Sequence, residues 1–364
     1  MYPVVLPHAS RISRLTLGGS VQDLSLFLST FSKPRGLLHS LEEIHLASNP
    51  REPKGPNSVL YYIPPDDAAE SMDIFNHCSR LKKFTLQDSN FTAGLMNPHL
   101  RLWPKNQLNL PFFQLTYLKV IIKLEQTEVV RMLSQTPNLL ECDLWILDDN
   151  HSDSISPSLN ISLPHLTHLS LCTSARSITY ALFKALILPS VTQLGFALDA
   201  VEPSPANLVT PFPPSELVSL LARSSYRITH LRFQHREELE PILERLGDSL
   251  ELLHAPLGIF RTDTIQRVAR GELVLPVLKK LVCCVCFEHF GALMSMVTAV
   301  CASRHAEEDN LGSSLPLELE VCVLTLYGEE QQHSEAVEAM KREVPDSCMI
   351  TTTCREPRHH WCHC

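Results

Sequence analysis

A short phrase, Leu-x-x-Leu-x-Leu with conservative exchanges, returns eleven times along this chain, at intervals of 22 to 41 residues. The phrases begin at Ile12, Leu41, Leu81, Leu115, Leu139, Leu166, Val191, Ile228, Leu250, Leu278 and Leu319. Within each, the fourth and sixth residues are apolar and the fifth is usually polar, the period of two that sends alternate side chains to opposite faces of a strand. Each phrase therefore predicts one short strand, and each interval leaves room for about one helix. No other feature of the chain restricts its fold so strongly.

Between the phrases the apolar period changes to that of a helix. Leu24, Phe27, Leu28 and Phe31 make one apolar stripe, and Leu239, Ile242, Leu243 and Leu246 make another. Weaker stripes lie in Val129 to Leu133, Leu217 to Leu221 and Phe290 to Val300. Pro137, Pro164, Pro189 and Pro276 each stand two residues before the first apolar residue of a phrase, where they are expected to stop a helix. A strand-turn-helix unit of this size cannot bury its own apolar side, so neighbours must stack. The recurrence is a leucine-rich-repeat signature. It predicts an α/β solenoid, a horseshoe with a parallel sheet on the concave face and helices outside.

The phrases run almost from end to end without a linker, so residues 1–344 read as a single domain of about eleven irregular repeats. Residues 345–364, rich in Cys and His, read as a disordered tail. The longest intervals hold extra loop: Asn49 to Pro65 is rich in Pro, Asn and Ser, and Glu202 to Pro214 has five prolines. Both are expected to overhang the sheet. A hydrophobic content of 44% supplies a continuous core. A net charge of −9 with no basic stripe argues against nucleic acid as a partner. The longest apolar stretch, Phe290 to Ala302, is too short to span a bilayer, and the N-terminus lacks the pattern of a signal peptide. A cytoplasmic or nuclear protein without a membrane partner is expected.

Twelve cysteines are consistent with reduced thiols in such a compartment. Cys142 and Cys322 at fourth positions and Cys283 at a sixth are expected to face inward, where a small apolar residue is wanted. Asn90, Asn150 and Asn160 start formal glycosylation triplets, which carry no weight in a chain that is not secreted. The tail offers Cys354, His359, His360, Cys362, His363 and Cys364 as zinc ligands. Cys362 and Cys364 are too closely spaced for a structural zinc pair, however, and no apolar residues follow to form a core around the ion. In Cys283-Cys284-Val285-Cys286 the thiols alternate across a strand. No metal and no cofactor are expected.

Catalytic motifs are missing from the sequence: no Gly-x-Ser-x-Gly elbow, phosphate loop, His-Glu-x-x-His or Gly-rich dinucleotide turn occurs. A non-enzymatic protein is expected. His45, His168, His230 and His254 fall at outward positions, which reads as polar filling of a solvated sheet. The third, fifth and seventh places of the phrases assemble a candidate partner-binding strip of Lys83, Thr85, Gln87, Tyr117, Lys119, Glu141, Asp143, Trp145, His168, His230, Arg232 and Gln234. Tyr117, Trp145 and Arg232 stand out, because side chains of these types dominate the energetics of protein interfaces.

The order of the phrases resembles the repeat region of fungal F-box and leucine-rich-repeat proteins. His8-Ala-Ser-Arg-Ile-Ser-Arg-Leu-Thr-Leu17 is similar to the first strand after the F-box in that family. Thr136-Pro-Asn-Leu-Leu-Glu-Cys-Asp-Leu144 and Leu163-Pro-His-Leu-Thr-His-Leu-Ser-Leu171 are similar to its middle repeats. The likeness covers most of residues 8 to 285. It implies a substrate-recognition role in a cullin-type ubiquitin ligase complex, with the solenoid holding the substrate and the F-box holding a Skp-type adaptor. Only eleven residues precede Ile12, so the F-box module itself is missing from the pattern, and adaptor binding is expected only if it is restored. The alternative is a repeat-only scaffold or inhibitor unrelated to ubiquitination. With the first strand uncovered, instability or self-association is expected.

Overall fold

The computed structural model describes residues 6–19, 24, 38–48, 75, 77–88, 110–122, 124, 126–146, 160–173, 182–198, 214–224, 227–234, 239–256, 262–285, 290–308, 317–324, 335, 338, 341–342 and 348–355. Twelve of its strands form one sheet. In order these are β1 (Arg14–Gly19), β2 (Glu43–Ser48), β3 (Lys83–Asp88), β4 (Tyr117–Ile121), β5 (Glu141–Ile146), β7 (His168–Thr173), β9 (Gln193–Leu198), β10 (His230–Gln234), β11 (Leu252–Pro256), β12 (Lys280–Val285), β13 (Leu317–Leu324) and β14 (Cys348–Arg355). All neighbours are parallel, and their spatial order is their chain order. Two further strands, β6 (Ile161–Ser162) and β8 (Leu186–Ile187), pair separately. The fold is mixed α/β with an open parallel sheet.

The register aligns one phrase with the next, so fourth-position residues form a single row through Leu15, Ile44, Cys142, Leu231 and Leu281. From Ile44 onward, fourth- and sixth-position side chains are buried in one continuous cluster; Leu15 and Leu17 are partly buried and pack against it. The helices contribute to the same cluster. Val129, Met132 and Leu133 come from α1 (Gln126–Ser134), Leu217, Leu220 and Leu221 from α2 (Pro214–Arg223), and Ile242, Leu243 and Leu246 from α3 (Glu240–Leu246). The long helix α5 (Phe290–Glu308) adds Leu293, Met296 and Val297. Of the stripe proposed at Leu24 to Phe31, only Leu24, a buried residue, lies within the described residues. The loops at Asn49 to Pro65 and Glu202 to Pro214 lie outside them, apart from Pro214, where α2 begins.

One helix has no visible stripe in the sequence. Helix α4 (Thr262–Ala269) buries Thr264 and Val268, one turn apart, and the polar member of that pair hides the pattern. The Thr264 hydroxyl is satisfied by donating to Glu240 Oε2 at 3.1 Å.

The four prolines act differently from expectation. Among the described residues, Pro137 follows α1 by three residues and Pro189 follows the helical residues 182–185 by four with β8 between, whereas Pro164 follows the short strand β6 and Pro276 lies seven residues beyond α4. Each is the second residue of a turn in which the preceding carbonyl accepts the N–H three residues on: Leu139 to Thr136, Leu166 to Leu163, Val191 to Leu188 and Leu278 to Leu275. A fixed φ near −65° suits that place, and the ring loses no needed donor. The prolines set the angle at which the chain enters a strand.

At the second place of the phrases, one carbonyl of each unit accepts two N–H groups of the next, as Lys82 accepts from Thr116 and Tyr117. Hydroxyls reinforce this ladder. Thr167 donates to the Leu140 carbonyl at 3.0 Å and Thr192 to the Thr167 carbonyl at 3.3 Å. A parallel rung joins the turns, where Asn138 Nδ2 donates to the Phe113 carbonyl at 2.7 Å and Ser190 Oγ to the Pro164 carbonyl at 2.6 Å. The polar residues of the phrases thus hold units in register while the apolar ones hold the layers together.

Two corrections concern the C-terminal end. The sheet does not stop near residue 344: Cys348–Arg355 is a strand, β14, that pairs with β13 from Leu317↔Cys348 to Leu324↔Arg355. The last phrase is also misplaced when started at Leu319. Leu317, Leu319 and Val321 are the buried side chains, and Leu319 aligns with Leu281, a fourth-position residue. Cys322 is therefore in register with Cys284 and not with the sixth-position Cys283. A one-residue slip exchanges the faces of a strand, and Leu-Glu-Leu-Glu-Val-Cys-Val-Leu permits two readings of its start.

Cys78, Cys142 and Cys283 are buried thiols. Burial pushes Cys78 and Cys283 up from an ordinary 9.0 to about 12, and raises Cys142 as well, with a smaller push from Asp143. Between about pH 9 and 12 the folded chain holds protons that the unfolded chain releases, so stability falls as pH rises through that window. The thiolate is the nucleophile. Iodoacetamide at pH 8 should therefore leave these three cysteines unmodified in the native protein and label them in denaturant. Mass-spectrometric mapping that finds them alkylated without denaturant would contradict their placement.

Candidate interaction face of the sheet

The face of the sheet turned away from the helices carries three rows of side chains, set by the register. Neighbouring strands lie about 4.8 Å apart. The first row runs Lys83, Tyr117, Glu141, His168, Gln193 and His230, and the second runs Thr85, Lys119, Asp143, Ser170, Gly195 and Arg232. The third runs Gln87, Ile121, Trp145, Cys172, Ala197 and Gln234. All seven residues proposed as partner contacts, Lys83, Tyr117, Lys119, Trp145, His168, His230 and Arg232, fall in these rows. Lys83 is exposed and the other six are half-buried.

The rows do not bring the seven into one cluster. Lys83, Tyr117, Lys119 and Trp145 are neighbours on β3 to β5, whereas His230 and Arg232 are on β10. Four strand steps separate Tyr117 from His230, about 19 Å. Between the groups the second and third rows hold Ser170, Cys172, Gly195 and Ala197, so the face is recessed there. A Cβ added at Gly195 would lie 3.3 Å from Ser170 Oγ. On one side the recess meets Asp143, held at 2.7 Å by Lys119, and Trp145; on the other it meets Arg232. His168 Nδ1 lies 3.0 Å from Gln193 Oε1 along its first-row edge.

The electrostatics are local and balanced. Lys119 and Asp143 are each more than a quarter exposed, so their ion pair contributes at most about 1 kcal/mol. Burial pushes the Tyr117 phenol above its ordinary value; Lys119 opposes the rise, and Asp143, Glu141 and Glu43 add to it. Tyr117 therefore remains a neutral hydrogen-bonding aromatic at physiological pH. Comparison of the sequence with protein-family models and with curated proteins returns no match. The physical arrangement of this face must carry the functional argument.

The third row is the informative one. Ile121 and Cys172 are buried, yet neither belongs to the hydrophobic core cluster on the other side of the sheet. With Trp145 between them and Ala197 beyond, they make an apolar row on a face whose other two rows are mainly polar. Of this row only Trp145 is in the strip expected from the sequence; Ile121, Cys172 and Ala197 are additional to it. The signal was present, because seventh positions of phrases are open to the same count as third and fifth ones.

Other expectations for this face are corrected. His254 lies in register with Arg232, but it is only 5% exposed, and Thr85 is buried too. An outward place in the period is not equivalent to exposure when adjacent rows carry long side chains. The misplaced final phrase also concealed a charged cluster, in which Lys280 Nζ lies 2.9 Å from Glu318 and 3.1 Å from Glu320. Hydrogen bonds to these two carboxylates raise the Lys280 pKa. Among the described residues no group of three or more His, Cys, Asp or Glu is placed to hold a metal ion, and no helix is long and apolar enough to cross a membrane. Of the tail ligands considered for zinc, Cys354 is in β14, and His359, His360, Cys362, His363 and Cys364 lie outside the described residues.

Proposed function

We propose that this chain is a leucine-rich-repeat solenoid that binds a protein partner, without catalysis, on the open face of its sheet. Support for the repeat reading comes from the coincidence of phrase, strand and register: each unit adds one parallel strand in chain order, and each fourth-position residue stacks on the last. The observation that carries the binding role is the apolar row Ile121–Trp145–Cys172–Ala197, set outside the core and bordered by Lys119–Asp143 and Arg232. An apolar anchor within a polar rim, with aromatic and Arg side chains at its edges, matches the anatomy of protein interfaces. The recess at Ser170 and Gly195 accommodates one bulky side chain of the partner. On this reading the chain selects a protein as the substrate-recognition region of an F-box receptor does.

The test compares cross-linked partners of the wild-type chain and of a Tyr117→Ala, Trp145→Ala, Arg232→Ala triple variant. Partners recovered with the wild type should fall at least about tenfold with the variant, since each such truncation at an interface centre costs roughly 1–2 kcal/mol or more. If every wild-type partner remains bound to a folded variant, the binding face lies elsewhere.

A further inference from the structure

Helix α5 and strand β14 meet at two sulfurs. Cys301, buried on the core side of α5, has its Sγ 2.9 Å from the Sγ of Cys348, the first residue of β14. Both are reduced thiols, and Cys348 is only partly buried. Its register partner is Leu317, so it points into the layer that α5 covers. A disulfide needs the sulfurs about 2.05 Å apart, and closing the gap takes a movement of about 0.9 Å. Forty-seven residues separate the two positions in the chain.

We propose that Cys301 and Cys348 are a reversible oxidation site, a disulfide clasp that fastens the last strand of the sheet to the long helix. Chemical access is through Cys348, because Cys301 is only 4% exposed. A low-molecular-weight disulfide serves as oxidant. The Cys348 thiolate attacks one of its sulfurs and expels one thiolate, leaving a mixed disulfide on Cys348. The Cys301 thiolate, already in contact, then attacks the Cys348 sulfur and expels the second thiolate. The two cysteines lose two electrons and two protons, and the oxidant becomes two thiols. A small dithiol reverses the sequence.

The consequence is confined to one end of the sheet. β14 is joined to the rest by the β13 ladder and by packing under α5. Oxidation adds a covalent tie across the second of these contacts and limits opening of β14. The open-face residues of that end, Met349 with Glu318 and Glu320 beside it, are then held in one arrangement. Of the remaining thiols, Cys78, Cys142 and Cys283 are buried and protonated, and are poor competitors for the oxidant.

The experiment uses the full chain, equilibrated in oxidised and reduced glutathione mixtures, quenched with acid and alkylated. Trypsin leaves Cys301 on a peptide with Cys283, Cys284 and Cys286, and Cys348 on one with Cys354, so fragment-ion sequencing assigns the bond. The expected result is a Cys301–Cys348 link that is lost in Cys301→Ser and in Cys348→Ser and is restored to thiols by dithiothreitol. Hydrogen exchange of residues 348–355 should slow by about tenfold or more on oxidation, with little change in β2 to β5. The proposal is overturned if both thiols remain alkylatable at an oxidising poise. It is equally overturned if the link formed joins other cysteines, such as the register neighbours Cys284 and Cys322. Should the serine variants fold poorly, the wild-type exchange difference between the two poises decides the matter alone.

Discussion

Phe183→Ala lowers the unfolding free energy by about 3–5 kcal/mol. Phe183 is fully buried in the helical turn at 182–185, and its ring meets that of Phe196 edge to face, with centroids 4.9 Å apart and planes at 72°. Phe196 is the sixth-position residue of β9, so this contact couples the helical residues 182–185 to the sheet. Truncation removes the buried apolar area and the aromatic pair, and leaves a cavity that the neighbouring units fill only by giving up their own stacking. Because each strand of the sheet packs between its chain-order neighbours, the loss also reduces cooperativity across β7 to β10. Denaturant titration at 25 °C is the measurement. A loss below about 1 kcal/mol would mean that this layer is not packed as described.

Gly247→Ala has the opposite sign from the usual effect of alanine at a helix end. Gly247 follows α3 with φ −49° and ψ −43°, a right-handed conformation in which alanine ordinarily adds about 0.4–1 kcal/mol of stability. Here an added Cβ would lie 2.5 Å from the Val274 carbonyl oxygen and 3.2 Å from that of Leu243. Both are backbone atoms, so no side chain can swing aside, and either the turn before β12 or the end of α3 must move. Overpacking of this kind costs about 1–3 kcal/mol. Gly271→Ala is the control: its φ of +71° is strained for alanine although nothing lies within 4 Å of the new Cβ, and about 1 kcal/mol is expected from the backbone alone. Thermal melts of the two variants separate close approach from conformation. A stabilised Gly247→Ala protein would show that the contact with residue 274 is not made.

Most of the sheet was legible because the period of two is a property of the backbone, and a buried face forces that period onto the residue types. The phrases at Leu41, Leu139 and Ile228 locate β2, β5 and β10 to within a residue or two. The period is ambiguous where apolar residues stand on both faces or on neither. Leu317–Leu324 alternates Leu and Val with Glu and Cys, so two starts fit, and the wrong one hid Lys280, Glu318 and Glu320. Cys348–Arg355 has Met, Ile and three threonines, weak evidence beside a run of Cys and His that suggests a loose end. Helix α4 was missed because Thr264 occupies a buried place that apolar counting ignores.

The candidate face was half legible. Its residues follow from counting outward positions, but exposure at those positions does not. His254 and Thr85 share the period of Arg232 and Lys119 and are nevertheless buried, since accessibility depends on the side chains of the two adjacent strands, which are far away in sequence. Ile121 and Cys172 look like core residues in composition and lie on the other side.

From β1 to β12 of the main sheet the sequence alone determined each strand and the face each of its residues takes, because these are local consequences of backbone geometry and apolar period. The tertiary structure alone decided which rows lie side by side, where the face is recessed, which glycine tolerates no Cβ, and that Cys301 and Cys348 touch. Those are distances between segments some 25 to 50 residues apart, set by how the units stack, and no local pattern encodes them.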